Sequence, residues 1–164
     1  MNHKARHILR LAALFVAAAV AVSVAQAAGA TPPTAATGSV IAGPPTVTVV
    51  KVVGGNTFQT YVRSGLFTGD FVGSFSETGT RVVHPDGSFE DTHVVTCECT
   101  VAGRSGTVIF NAEGKGTLFP VVDAESDLET ISATDGLSGL HALLEVVRVD
   151  ATVTYTGTYH FDPQ

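Results

Sequence analysis

The sequence has few basic residues and no basic cluster. Nine Lys and Arg stand against fifteen Asp and Glu, which gives a formal net charge of −6. Three of the nine, Lys4, Arg6 and Arg10, lie within the first ten residues, and without them six basic residues face fifteen acids, a balance of −9. Nucleic acids and anionic membrane surfaces attract clustered Lys and Arg. The charge therefore argues against nucleic acid as a partner.

The sequence also lacks the motifs of several large enzyme classes. The glycines of AEGKGT, 112–117, do not have the spacing of a phosphate-binding P-loop, and no dinucleotide-binding fingerprint is present. Ser105 in GRSG and Ser138 in LSGL do not fit the G-x-S-x-G pattern of a hydrolase nucleophile. Nothing in the sequence supports a kinase, a dehydrogenase or a serine hydrolase.

Only two cysteines are present, Cys97 and Cys99. In a regular strand their Cα atoms would lie about 6.5 Å apart with the side chains parallel, which does not favour a disulfide. His93 would add a third metal ligand, but the C-x-C spacing is tighter than in most zinc sites and no second Cys/His pair exists. We predict that the cysteines bind no structural metal, and we predict no metal site elsewhere. Buried thiols and a local disulfide remain as alternatives.

The first 27 residues have the three parts of a secretory signal peptide. A basic start, MNHKARHILR, is followed by an apolar run from Leu11 to Val22 and then by small residues at Ala25 and Ala27. The apolar run is shorter than the roughly 20 residues that span a bilayer. We predict cleavage after Ala27, a secreted or periplasmic protein, and no stable membrane insertion after cleavage.

The next segment, residues 28–46, reads AGATPPTAATGSVIAGPPT and carries no charge. This composition is typical of an extended linker or of a loosely attached first strand. We assign residues 28–46 to a flexible linker. Residues 47–164 then form a single domain with its own core.

After the linker, short runs rich in Val, Thr, Phe and Tyr alternate with turn residues. In the last run, inward Val, Tyr, Gly and Phe alternate with Thr and His160, as in an antiparallel strand with one face in a core. Only HALLEVVR, 141–148, also fits a short helix. About eight to nine strands predict an all-β domain. Closure into a barrel would remove its exposed edges.

The segment SFEDTHVVTCECTV, 88–101, is predicted to be a strand with polar residues on its inward face. With a period of two, Asp91 and His93 share a face with Phe89 and Val95. Polar groups that turn inward need hydrogen-bond partners or serve a site. The function of this acid and this imidazole is therefore the main question that the sequence raises.

The HPDG turn, 84–87, sets the register of that strand. Its Pro and Gly fit a three-residue hairpin loop. Counting back from the turn places Arg81 opposite Asp91 and Gly79 opposite His93. We predict an ion pair between Arg81 and Asp91, and open space at Gly79 above the His93 ring.

Four segments carry a resemblance to a known family: PDGSFE (85–90), AGRSGTVIF (102–110), TDGLSGLHA (134–142) and YTGTYHFDP (155–163). In this order they resemble a family of small bacterial proteins of unassigned function that are similar to the allene oxide cyclase barrel, which dirigent proteins share. The resemblance implies an eight-stranded antiparallel barrel. It also implies action without a cofactor on a small apolar molecule enclosed by the barrel.

Three functions follow as hypotheses. The leading one is a barrel that encloses a small apolar ligand; the alternatives are a cofactor-free isomerase or cyclase, and a structural barrel with a filled interior. The oligomeric state is left open. For catalysis we predict four polar residues: Glu77, Arg81, Asp91 and His93. For ligand binding we predict six inward apolar or aromatic residues: Phe71, Phe75, Phe89, Val95, Tyr155 and Tyr159.

Overall fold

Strands make up most of residues 32–163, the part of the chain that the computed structural model describes. The strands are β1 (Thr34–Ala42), β2 (Thr46–Val53), β3 (Asn56–Gly69), β4 (Phe71–Val83), β5 (Ser88–Val101), β6 (Arg104–Thr117), β7 (Asp123–Ala133), β8 (Leu140–Val149) and β9 (Thr152–Phe161). One turn of 3-10 helix, Asp135–Leu137, precedes β8. The predicted signal peptide, 1–27, lies outside the described residues. Within 32–163, no helix is long and apolar enough to cross a membrane.

Eight of the nine strands close into an antiparallel barrel. Strands β3 to β9 pair in sequence order, and β1 pairs with both β9 and β3. The remaining strand, β2, is added outside the barrel and pairs with β3. Residues 141–148, which also fitted a helix, lie in β8. The predicted all-β, eight-stranded antiparallel barrel is confirmed.

The strand that closes the barrel, β1, lies inside the predicted linker. The assignment of residues 28–46 to a flexible linker is therefore wrong for 34–42, and the barrel begins at β1 rather than at residue 47. The residues of this segment are small because β1 packs closely against the barrel interior. Ala36 is fully buried, and a Cβ at Gly38 would overlap the ring of Tyr155. A tightly packed strand of small residues has the same composition as a linker.

Side chains fill the half of the barrel that is remote from the HPDG turn. Phe71 lies at the centre of this closed half, with the rings of Phe110, Tyr155 and Tyr159 each 6.0 Å from its own. The Tyr155 hydroxyl accepts a hydrogen bond from the Phe71 backbone N–H at 2.9 Å and donates to the carbonyl of Thr68 at 3.1 Å. These bonds satisfy the buried Tyr155 hydroxyl within a mostly apolar layer.

The HPDG turn has the predicted geometry. Gly87 has a φ of 87°, and its N–H donates to the His84 carbonyl at 3.0 Å. The Asp86 carboxylate accepts hydrogen bonds from the Ser88 hydroxyl and N–H, which lower the pKa of Asp86. The register of β4 and β5 follows the turn, and the predicted pairs Arg81–Asp91 and Gly79–His93 are confirmed.

Cys97 and Cys99 form a disulfide within β5. Their Cα atoms are 5.3 Å apart, closer than in the regular strand that the sequence predicted. Of the two alternatives left open, buried thiols and a local disulfide, the structure has the disulfide. Both residues are buried in the closed half of the barrel.

Candidate functional site

Polar side chains from three neighbouring strands meet inside the other half of the barrel, which we call the mouth. They come from alternate positions of β3, β4 and β5, so all of them point inward. The register aligns Tyr61 with Gly79 and Gly79 with His93, and it places Arg63 opposite Glu77. The four predicted catalytic residues therefore lie together, joined by two residues of β3 that the sequence analysis did not include.

Five of these six residues, all except Arg81, form a connected chain of polar contacts. The Tyr61 hydroxyl donates to Asp91 Oδ2 at 3.1 Å, and His93 Nδ1 lies 3.2 Å from Asp91 Oδ1. On the other side of the imidazole ring, His93 Nε2 is 4.0 Å from Glu77 Oε1. Arg63 Nε donates to Glu77 Oε2 at 2.6 Å. Glu77 is 3% exposed and His93 is 4% exposed, so this network is almost dry.

The predicted ion pair between Arg81 and Asp91 is wrong, although the two residues are directly opposite. Within residues 32–163, no carboxylate lies within 4.0 Å of the Arg81 guanidinium. The guanidinium carbon instead lies 4.7 Å from the centre of the Tyr61 ring and 5.1 Å from that of Phe89. Arg81 Nε is buried and has no hydrogen-bond partner. The aromatic faces attract this cation in place of the carboxylate.

Asp91 is held as a carboxylate by other groups. Burial raises the pKa of Asp91, but the hydrogen bond and charge of His93, the Tyr61 hydroxyl and the more distant Arg81 outweigh burial and hold the pKa below its usual value. Burial, followed by the negative charges of Glu77 and Asp91, raises the pKa of Tyr61. Tyr61 therefore remains a hydrogen-bond donor at any physiological pH.

The predicted open space beside His93 is also wrong. Gly79 does lack a side chain there, but the ring of Tyr61 occupies the position. A Cβ on Gly79 would lie 2.7 Å from Tyr61 Cζ and 2.7 Å from His93 Cβ. The glycine therefore allows a tyrosine of β3 to reach across β4 to Asp91 on β5.

A cavity of about 220 Å³ opens above this network in the mouth. Of the predicted catalytic residues, Arg81 and Asp91 line it, whereas Glu77 and His93 do not. Of the predicted ligand-binding residues, Phe89 lines it. The other five belong to the closed half: Phe71, Phe75, Val95 and Tyr155 are buried in its core, and Tyr159 packs against that core.

Six of the thirteen residues that line the cavity are aliphatic: Pro45, Leu118, Val122, Ala124, Val146 and Val153. Three arginines also line it: Arg63, Arg81 and Arg148. Arg63 is paired with Glu77, and Arg148 Nε donates to the backbone carbonyl of Asp150 at 2.8 Å. Three guanidinium groups thus face two carboxylates, those of Glu77 and Asp91, which leaves an excess of positive charge at the mouth.

Sequence reasoning missed Tyr61, Arg63 and Arg148. The signal for the first two was available in the alternation of TFQTYVRSGLF, where Tyr61 and Arg63 share one face. Only the pairing of β3 with β4 identifies that face as the inward one. Arg148, on β8, shares the alternating face of Leu144 and Val146, but only the pairing of β8 with β7 and β9 places that face at the same cavity.

No family model and no curated protein matches the chain. Among solved structures, the chain is similar to a protein of unknown function from the DUF3224 family of Shewanella oneidensis MR-1, with 17% sequence identity and a TM-score of 0.64. The alignment covers 80% of this chain and 100% of that chain. At this identity the similarity shows the fold alone. The finer resemblance to allene oxide cyclases is not confirmed.

Proposed function

We propose that the barrel binds a small, mostly apolar molecule that carries one anionic group, such as a carboxylate, in the cavity at its mouth. The observation that carries this proposal is Arg81. Its guanidinium has no carboxylate partner in the described chain, its buried Nε has no hydrogen-bond partner, and it lines the cavity. Arg81 is half-buried, so its charge is partly removed from water without a carboxylate to compensate it. An anionic ligand would supply that partner.

The rest of the cavity supports a ligand with an apolar body. Aliphatic side chains and the Phe89 ring form most of the wall. Its volume of about 220 Å³ is below the range of about 300–1,000 Å³ that is usual for drug-sized ligands, so the occupant is small. Within residues 32–163, side chains fill the closed half of the barrel, so we place the ligand in the cavity at the mouth. The alternative of a barrel filled throughout is therefore less well supported.

The geometry favours binding over the alternative of a cofactor-free isomerase or cyclase. A general base works best when its pKa lies near the working pH. The pKa of Asp91 is lowered, and His93 faces Glu77 and does not line the cavity. We propose instead that Asp91, His93 and Glu77 hold Tyr61 and Arg63 in position around the ligand. We further propose that the protein acts outside the cytoplasm, as the predicted signal peptide requires.

Calorimetric titration with a matched pair of probes tests the anionic part of this proposal. 3-Phenylpropanoate should bind, and its primary amide, which has the same shape without the charge, should bind more weakly. Arg81→Gln should weaken binding of the carboxylate by about 2 kcal/mol or more, which is roughly 30-fold. The affinity for the amide should fall much less in this variant.

Arg104→Gln is the matched control. Arg104 also lies over an aromatic ring, that of Phe161 at 4.2 Å, and also has a buried nitrogen without a hydrogen bond, but it lies outside the cavity. This variant should bind the carboxylate as the unaltered protein does. Equal affinity for acid and amide, or equal losses in the two arginine variants, would contradict an anion site at Arg81.

A further inference from the structure

Two histidines stand side by side on the outer surface of the barrel, at the end remote from the mouth. His141 on β8 lies directly opposite His160 on β9. Their neighbours Leu140 and Phe161 are buried, so alternation turns both imidazoles outward. The rings are stacked, with centres 5.0 Å apart and planes 13° from parallel. The register of two paired strands alone brings these imidazoles together.

A carboxylate completes the group. Asp162 follows β9, and its Oδ2 lies 3.2 Å from His141 Nε2. Its backbone N–H donates to the Gly139 carbonyl at 2.8 Å, and Gly139 has a φ of 77°. The turn that leads into β8 therefore holds Asp162 beside His141. One possible ligand atom from each of the three side chains lies within 4.8 Å of the others.

The geometry points to a binding site for a first-row divalent transition metal, zinc or copper, formed by His141, His160 and Asp162. Imidazole nitrogens suit both ions, and a carboxylate oxygen is a common third ligand of zinc. Zinc–nitrogen bonds of about 2.0–2.1 Å place ligand atoms about 3.4 Å apart in a tetrahedron. In the metal-bound protein, side-chain rotation would have to bring these ligand atoms from within 4.8 Å to about 3.4 Å of one another. The fourth position is open to water.

Stability does not explain the cluster. The side chains of His141 and Asp162 are 54% and 59% exposed, and ion pairs at that exposure contribute little to folding. The site is also separate from the proposed ligand cavity, because none of the three residues lines that cavity. Failure of either proposal leaves the other unaffected.

Calorimetric titration of tag-free protein with ZnCl2 tests the site. We expect one zinc ion per chain, and a loss of affinity of at least about 10-fold in both His141→Ala and Asp162→Asn, since even indirect partners of a metal ligand contribute that much. Matched controls are His84→Ala and Asp127→Asn, which remove a histidine and an aspartate from other parts of the barrel. Both should bind zinc as the unaltered protein does.

The double variant His141→Ala/His160→Ala should bind no zinc at this stoichiometry, with circular dichroism showing that it is folded. His3 and His7 lie in the predicted signal peptide and are altered in none of the variants, so they cannot account for a loss confined to the three site residues. The absence of saturable zinc and copper binding in the unaltered protein overturns the proposal. Zinc binding that survives in the double variant, or that falls equally in the controls, also overturns it.

Discussion

Replacing Tyr61 with Phe removes a single hydroxyl from the dry network at the mouth. That hydroxyl donates to Asp91 Oδ2 at 3.1 Å, and the Asp91 side chain is only 9% exposed. The Phe ring still fills the space at Gly79, so the hydrogen bond alone is lost. A hydrogen bond to a charged group contributes about 1.5–3 kcal/mol. We expect Tyr61→Phe to lower the free energy of unfolding at pH 7 by about that amount.

This loss should depend on pH because the pKa of Asp91 is lowered in the folded protein. A carboxyl whose folded pKa lies below its unfolded pKa stabilises the fold above the unfolded pKa, and this stabilisation disappears as the pH falls through the folded pKa. In the Tyr61→Phe variant the Asp91 carboxylate has one hydrogen-bond donor fewer, so the variant loses less stability than the unaltered protein when the pH falls. The difference in stability between the two proteins should narrow below about pH 4.

Urea unfolding followed by circular dichroism between pH 7 and pH 3 measures both effects. Tyr159→Phe is the control, because Tyr159 is half-buried and its ring makes aromatic contacts, while its hydroxyl has no hydrogen bond to any residue from 32 to 163. Its stability should change little at any pH. A Tyr61→Phe variant as stable as the unaltered protein at pH 7, or a loss that is the same at every pH, would refute Tyr61 as the donor to an ionised Asp91.

Three further predictions concern other parts of the chain. His93→Ala should lower the free energy of unfolding by about 2 kcal/mol or more, because it leaves two buried carboxylates without the imidazole between them. If urea unfolding shows that the variant is as stable as the unaltered protein, His93 is not part of the network. Replacing both Cys97 and Cys99 with Ala should leave the zinc stoichiometry unchanged in calorimetry, since their sulfurs are joined to each other; a lost zinc ion would assign them as ligands. N-terminal sequencing of protein from the extracellular or periplasmic fraction should begin at Ala28; protein that retains Met1 and stays in the cytoplasm would contradict export.

Sequence reasoning succeeded where the interactions are local. The HPDG turn, 84–87, combines a fixed φ at Pro with a glycine at positive φ, and these two residues determine how the flanking strands pair. From that turn the pairs Arg81–Asp91 and Gly79–His93 follow by counting, and the structure has both. The inward direction of all four residues follows from the period of two.

Sequence reasoning failed where the partner comes from a strand that the turn does not connect. Glu77 pairs with Arg63 on β3, and Asp91 bonds to Tyr61 on the same strand. The closing strand β1 was mistaken for a linker because its small residues are explained only by the Tyr155 ring packed against it. The group of His141, His160 and Asp162 likewise exists only once β8 is paired with β9.

The sequence by itself determined which side chains of β4 and β5 face the interior, because alternation along a strand follows from backbone geometry and the apolar residues of these two strands mark the inward face. Only the tertiary structure decided what those side chains do there. Arg81 has a long, flexible stem, so its guanidinium can reach either the carboxylate opposite or the rings nearby. Tyr61, on β3, donates a hydrogen bond from its hydroxyl to the Asp91 carboxylate, and its ring makes a cation–π contact with Arg81. Because barrel closure brings Tyr61 next to both residues, Arg81 and Asp91 do not form the expected ion pair. Arg81 instead lines the cavity without a carboxylate partner.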